Sequence, residues 1–188
     1  MSKSSLRLAA RAGRGAPVEC RGRGKTDRIT ISNVANGLVT PVLIRLGAIN
    51  SAYETAAPRN VSVSDIVATN VSVGCAVYGV EGHAVENVRL SNINVTFVGG
   101  GTIEDPASPI PSNPDSPSEH GLLPCYGLYC SHVNGLTLRD LDFRCEQGDY
   151  QPAILLEAVS ELRLNGHRTR DNSEGIALRH VLRLHAGT

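Results

Sequence analysis

The sequence is poor in aromatic side chains: its 188 residues include no tryptophan, two phenylalanines and five tyrosines. A narrow interior that is filled by valine, isoleucine, leucine and alanine tolerates this scarcity. Long apolar runs are missing as well, and no segment approaches the length that crosses a bilayer. No segment of useful length shows the apolar periodicity of an amphipathic helix either. The missing features argue against a membrane-spanning helix, and no membrane partner is predicted.

The cysteines lack the order of a disulfide framework, because there are five of them and their spacing is irregular. They form no CxxC pair, and no histidines stand at zinc-finger distances. We therefore predict neither a metal site nor a cofactor, and interpret the cysteines as small core residues. A bridge between Cys125 and Cys130 that closes a loop is an open alternative.

The net charge is zero, but residues 1–28 carry eight lysines and arginines against two acidic residues. This composition predicts a basic, disordered leader over residues 1–27. A targeting peptide and a nucleic-acid arm are the alternatives. The segment has no aromatic residue to stack on bases, so no nucleic-acid partner is predicted. No signal peptide is visible, and the compartment is left undetermined.

The strongest pattern present is a seven-residue phrase that recurs five times at steps of 32, 27, 48 and 26 residues. Apolar and polar side chains alternate in each copy, which predicts a strand with one buried face, and a polar turn follows. Self-similarity at such a period is typical of a stacked array. The copies are Arg28–Val34, Asn60–Ile66, Asn87–Ile93, Gly135–Leu141 and Glu161–His167.

Short apolar runs between the phrases supply a second strand for each repeat. They lie at residues 42–46, 75–80, 126–130, 153–156 and 176–178. Leucine-rich repeats have a denser leucine spacing and a shorter period, so they fit poorly. We predict an all-β protein, a parallel β-helix over residues 28–188 with about five coils stacked at roughly 4.8 Å.

One segment interrupts the repeats: residues 99–124 carry six of the ten prolines. This proline-rich excursion explains the 48-residue step. Long loops in compact proteins are usually functional or disordered. A wall of a binding groove and a simply mobile loop are both left open.

An ordered set of short motifs resembles the C-terminal half of family 28 glycoside hydrolases, the polygalacturonases and rhamnogalacturonases, and above all their bacterial branch. The resemblance implies a single-stranded right-handed parallel β-helix, inverting hydrolysis of galacturonan-type bonds, and a secreted or periplasmic location. It covers residues 28 to about 165. The motifs are Arg28–Val34, Pro41–Gly47, Gly74–Cys75, Gly79–Val88, Leu90–Ile93, Gly99–Thr102, Leu123–Tyr129, His132–Leu136 and Pro152–Ile154.

The reacting groups of that family are missing from the sequence. Inverting hydrolysis needs one carboxylic acid and one carboxylate about 6.5–9.5 Å apart. The family takes them from Asn-x-Asp and Asp-Asp motifs, which are followed by Gly-His-Gly and Arg-x-Lys. Neither Asp-Asp nor Gly-His-Gly occurs in the 188 residues. Asn-x-Asp occurs only at Asn113–Asp115 in the excursion, and Arg-x-Lys only at Arg23–Lys25. No catalytic residue is predicted.

Five residues are candidates for a substrate groove. Arg45 carries a guanidinium, which suits a carboxylated sugar. Tyr53 lies near the place of the family's groove tyrosine, Glu81 and His83 flank a glycine as an acid–base couple, and Tyr126 lies in a shared motif.

Two hypotheses for the function follow. The chain is the C-terminal portion of a pectin-degrading glycoside hydrolase that is inactive alone, or it is a non-catalytic β-helix module. Such a module would bind acidic, pectin-type polysaccharide or a protein partner. Self-association through an open end of the solenoid is expected, because end units normally cap such a stack.

Overall fold

The computed structural model describes residues 18–22, 27–36, 41–46, 58–102, 123–169 and 175–186. These residues form strands and connections, with no helix among them, which confirms the predicted all-β class. The strands are β1 Val18–Gly22, β2 Asp27–Asn36, β3 Val42–Leu46, β4 Arg59–Val71, β5 Cys75–Tyr78, β6 Val85–Phe97, β7 Leu128–Cys145, β8 Ile154–Thr169, β9 Ile176–Arg179 and β10 Leu182–Ala186.

The strands pair in two parallel ladders. The first ladder contains β1, β3, β5, the N-terminal ends of β7 and β8, and β9. The second ladder contains β2, β4, β6, the remainder of β7 and β8, and β10. One row consists of a first-ladder strand and the second-ladder strand that follows it. In β7 and β8 one unbroken strand runs through both ladders.

The alternation in the phrases produces the buried core, because strand side chains point to opposite faces in turn. In β4, Val61 and Val63 are fully buried, while Ser62 and Ser64, each of which follows one of these valines, are half-buried. Register partners repeat this pattern from row to row, so apolar side chains form continuous columns. One such column contains Ile29, Val61, Val88, Leu136 and Leu162.

Polar residue pairs such as Ser64-Asp65 were predicted to form turns that end the strands. In the structure the strand continues through each pair, and one residue of the pair adopts the left-handed conformation. Asp65, Asn92 and Asp140 have φ angles of 50–56° and bend their strands without ending them. Asparagine and aspartate tolerate this conformation better than other non-glycine residues. The Asn92 side-chain amide donates to Asp65 at 2.7 Å, and Asn87 donates to Asn60 at 3.0 Å. Side-chain hydrogen bonds thus connect the bends of neighbouring rows.

Both ends of the described fold differ from the prediction. Strand β1 lies inside the segment predicted as a leader, and it pairs with β3 from Val18↔Val42 onward. Apolar and polar residues alternate over Val18, Glu19, Cys20 and Arg21, but the basic composition of the surrounding segment led to a prediction of disorder. Strand β10 adds a row after the fifth phrase. Residues 1–17 and 103–122 lie outside the described residues.

Aromatic rings fill the core next to the excursion. Phe97 packs edge-on against Phe143 and against Tyr126, each with ring centroids 5.6 Å apart. Edge-to-face pairs of this kind are favourable beyond the area they bury. Among the described cysteines, Cys75, Cys125 and Cys130 are buried free thiols, so the alternative of a Cys125–Cys130 bridge is not realised. The described residues include no helix long and apolar enough to span a membrane.

The last row leaves apolar side chains in contact with solvent. Leu178, Leu182 and Leu184 are 43%, 67% and 47% exposed, although Leu178 and Leu184 continue columns that are buried in earlier rows. Association at an open end stays a prediction.

The register of the rows can be tested with cysteine pairs on the outer surface. Ser64 and Ser91 are Cα partners in β4 and β6. Parallel neighbours lie roughly 4.8 Å apart, within the Cα range of a disulfide. We expect Ser64→Cys with Ser91→Cys to cross-link under mild oxidation, as measured by non-reducing electrophoresis of the unfolded protein. Ser62→Cys with Ser91→Cys is the control, since its Cα separation of roughly 8 Å is too large. Equal cross-linking of both pairs would contradict the register.

Candidate functional site

The outer face of the first ladder is partly covered by the chain that returns from the excursion. Leu123 packs against Ala76 and Tyr78, and Leu123 and Cys125 pack against Tyr129 and Leu155. This face is therefore buried in its middle, although it lies outside the main core. Backbone hydrogen bonds fix the cover in place: Tyr126 N–H donates to Pro152 O at 3.2 Å and Leu128 N–H donates to Ala153 O at 2.9 Å.

Polar residues of successive rows form one column where the first-ladder pairing ends, at the C-terminal side of each strand segment. We call it the polar column, and register partners define it as Arg21, Arg45, Tyr78, Ser131, Glu157 and Arg179. Tyr78 and Ser131 are buried, Glu157 is half-buried and Arg179 is exposed. The column therefore opens to solvent at Glu157 and Arg179.

Hydrogen bonds connect the polar column to its neighbours. The Tyr129 hydroxyl donates to Glu157 Oε2 at 3.0 Å. The Ser131 hydroxyl and His132 Nδ1 share a hydrogen bond of 2.8 Å. Ser131 is the one fully buried polar residue in the described part of the chain, and a partner of this kind offsets the cost of its burial.

The phenol of Tyr129 stays protonated over the ordinary pH range. Burial is the largest cause that raises its pKa, the acceptor Glu157 raises it further, and a hydrogen bond with Ser131 lowers it. Tyr129 is therefore a hydrogen-bond donor that holds the Glu157 carboxylate. The part of the column that reaches solvent carries the Glu157 carboxylate and the Arg179 guanidinium, and a guanidinium suits an acidic ligand.

The turn with Glu81 and His83 begins next to the polar column. Gly79 N–H donates to Ser131 O at 2.9 Å, and Val80 and His83 exchange backbone hydrogen bonds of 3.2 and 2.9 Å. Gly79 has no room for a side chain, since a Cβ would lie 2.8 Å from His132 O. Glu81 and His83 are both exposed, and no hydrogen bond between their side chains is present.

The other predicted groove residues are placed differently. Arg45 lies in β3 and belongs to the polar column by its register with Tyr78. Tyr53 is outside the described residues. Tyr126 is 6% exposed and packs in the core against Phe97, so its placement leaves it out of the candidate site.

Sequence reasoning did not identify Tyr129, Ser131 or Glu157 as site residues. Tyr129 and Glu157 are 28 residues apart, and only the register of β7 with β8 brings them together. The available signal was a polar residue that follows each short apolar run of the first ladder, as Ser131 follows Leu128–Cys130.

Most of the other described carboxylates have structural partners. Asp149 accepts backbone N–H groups of Gly101 and Gln151 at 3.0 and 2.9 Å, which fixes the loop at the start of the excursion. The remaining pairs are Asp27 with Asn60, Asp65 with Asn92, Asp140 with Arg139, Asp142 with Arg144 and Glu161 with Arg183. Within the described ranges, no group of histidine, cysteine and acidic side chains is arranged to hold a metal ion.

Comparisons with protein-family models, with curated proteins and with solved structures give no significant match to this chain. The resemblance to family 28 glycoside hydrolases therefore stays a prediction from the sequence motifs.

Proposed function

We propose that this chain is a right-handed parallel β-helix related to family 28 glycoside hydrolases, and that it binds acidic, pectin-type polysaccharide without hydrolysing it. The architecture is supported by the order of pairing: each row pairs in parallel with the rows before and after it in the chain. Stacking of this kind, in which a repeat contacts only its neighbours, is the general property of solenoids.

The observation that carries the proposed function is that the polar column holds a single carboxylate, Glu157. Hydrolysis with inversion needs a second carboxyl group about 6.5–9.5 Å away, to activate water on the other face of the sugar. No other described residue of the column is acidic, and Glu157 is held by Tyr129. Binding needs only hydrogen bonds and charge complementarity, for which the column offers the exposed guanidinium of Arg179 and the positive charge of Arg45.

Binding is tested by electrophoresis through gels that contain polygalacturonate or a neutral galactan. We expect retardation by polygalacturonate alone. Arg45→Gln should weaken binding roughly ten- to a hundredfold, because a charge-assisted hydrogen bond contributes about 1.5–3 kcal/mol. Arg144→Gln is the matched control, since it removes an equal charge from a residue that pairs with Asp142 away from the column. Retardation by neither polymer would overturn the binding proposal.

Hydrolysis is tested separately with a reducing-end assay on polygalacturonate and on rhamnose-linked oligomers. We expect no release of reducing ends above the buffer control. General acid–base catalysis accelerates a reaction by roughly 10²–10⁴-fold, and it requires a correctly positioned acid and base. Turnover that Glu157→Gln abolishes would show that the chain is a hydrolase and that Glu157 takes part in the reaction.

A further inference from the structure

The second ladder has an outer face between its two lines of bends. Two outward columns cover this face, and every member is a hydroxyl, amide, histidine or arginine residue. They are Thr30, Ser62, Arg89, Thr137, Arg163 and His185 in one column, and Ser32, Ser64, Ser91, Arg139 and Asn165 in the other. We call the surface around Arg89, Arg139 and Arg163 the arginine face. All three arginines are exposed.

The charge on this face is uncompensated within the two columns, which contain no carboxylate among the described residues. Arg89 and Arg163 make no ion pair with any described residue. Arg139 pairs with Asp140 at 3.0 Å, but both side chains are more than half exposed. Exposed pairs contribute little, so a ligand carboxylate can replace Asp140. Two other carboxylates lie at the bends that border the face: Glu161 is paired with Arg183, and Asp65 accepts hydrogen bonds from Ser64 and Asn92.

The spacing of the arginines follows from the ladder. Arg89 and Arg163 are register partners of Thr137 in the strands on either side of it. Two steps of a parallel sheet separate them by roughly 10 Å, the length of about two linked sugar units. Arg139 lies in the strand between them, in the other column and roughly 8 Å from each. Three guanidinium groups thus follow the stack of strands at the scale of a sugar polymer.

We infer that the arginine face binds a linear polysaccharide that carries a carboxylate on each sugar, at a site separate from the polar column. The ligand class rests on the proposed function. Guanidinium groups pair with carboxylates, and the serine and threonine hydroxyls between them suit sugar hydroxyls. The two columns contain no phenylalanine, tyrosine or tryptophan on which a nucleic-acid base could stack, and their one imidazole, His185, lies at the end of its column beside Arg163. The chemistry of the face therefore favours a polyuronate over a single-stranded nucleic acid.

The test measures the dissociation constant of the full chain for polygalacturonate by fluorescence anisotropy of an end-labelled oligomer. We expect the triple variant Arg89→Gln, Arg139→Gln and Arg163→Gln to bind at least tenfold more weakly, and its affinity to depend less on salt. The charge-preserving triple lysine variant should retain most of the affinity. Arg144→Gln should bind like the unmodified chain, because Arg144 is outside both columns. Melting curves establish that each variant is folded.

Three other outcomes would overturn the inference. Unchanged affinity of the triple variant, with loss in Arg45→Gln, would place the ligand at the polar column and leave the proposed function standing. Single-stranded DNA of equal charge that binds as tightly, with the same loss in the triple variant, would make the face a general polyanion surface. Absence of binding by the unmodified chain would remove the proposed function as well.

Discussion

Replacing Gly127 by alanine is expected to destabilise the protein by about 3 kcal/mol or more, because overpacking against backbone cannot relax. Gly127 lies where three rows meet. Its carbonyl accepts Cys75 N–H at 2.6 Å, and the next residue, Leu128, donates to Ala153 O. An added Cβ would overlap the Ala153 carbonyl oxygen and lie 2.9 Å from Phe143 Cδ2. Urea unfolding followed by circular dichroism measures the change.

The matched control is Gly82→Ala in the turn between Val80 and His83. Gly82 has a φ of 78°, but a Cβ there would meet nothing within 4 Å. The left-handed conformation alone costs alanine about 1 kcal/mol. Equal losses for the two variants would mean that the rows do not approach each other closely at Gly127.

Alkaline pH is expected to reduce the free energy of unfolding by several kcal/mol. Burial raises the pKa of the Cys75 and Cys125 thiols from 9.0 to about 12, and it raises the pKa of Cys130 as well. Between about pH 9 and pH 12 the unfolded chain therefore releases protons that the folded chain keeps. Stability is fully present below the unfolded pKa and is lost as the pH rises through this window. Each thiol contributes up to about 1.4 kcal/mol per pH unit.

The measurement is a series of urea titrations from neutral to alkaline pH in the presence of a reductant, which prevents thiol oxidation. Cys75→Ala removes one of the three buried thiols, so its stability should fall by about 1.4 kcal/mol less per pH unit. A stability that is constant up to about pH 11 would contradict burial of the three thiols, since each should release its proton on unfolding above its ordinary pKa.

The strands and their buried faces were predictable because they depend on local alternation. In the phrase Asn60–Ile66, the apolar Val61, Val63 and Ile66 are the residues that the structure buries. The structure also confirms the parallel pairing of the strands. Strand β1 was missed because its short alternation is surrounded by basic residues.

The site was harder to predict because it depends on register across an irregular period. The steps between phrases vary from 26 to 48 residues, and residues 99–124 separate Tyr78 from its partner Ser131. No local pattern connects Tyr129 with Glu157 either, although their side chains share a hydrogen bond. Arg45 could be proposed from its charge and its place in an apolar run, and its register places it in the polar column.

The most direct test of the proposed function is a calorimetric titration of the full chain with polygalacturonate. Binding without hydrolysis predicts a saturable heat for each injection, followed by a return to the baseline. The heat should weaken as salt screens the arginines. Thermal power that persists after the injections would reveal continuing hydrolysis, and no heat together with no retardation in polygalacturonate gels would exclude binding. Either result would contradict a β-helix that holds acidic polysaccharide without cleaving it.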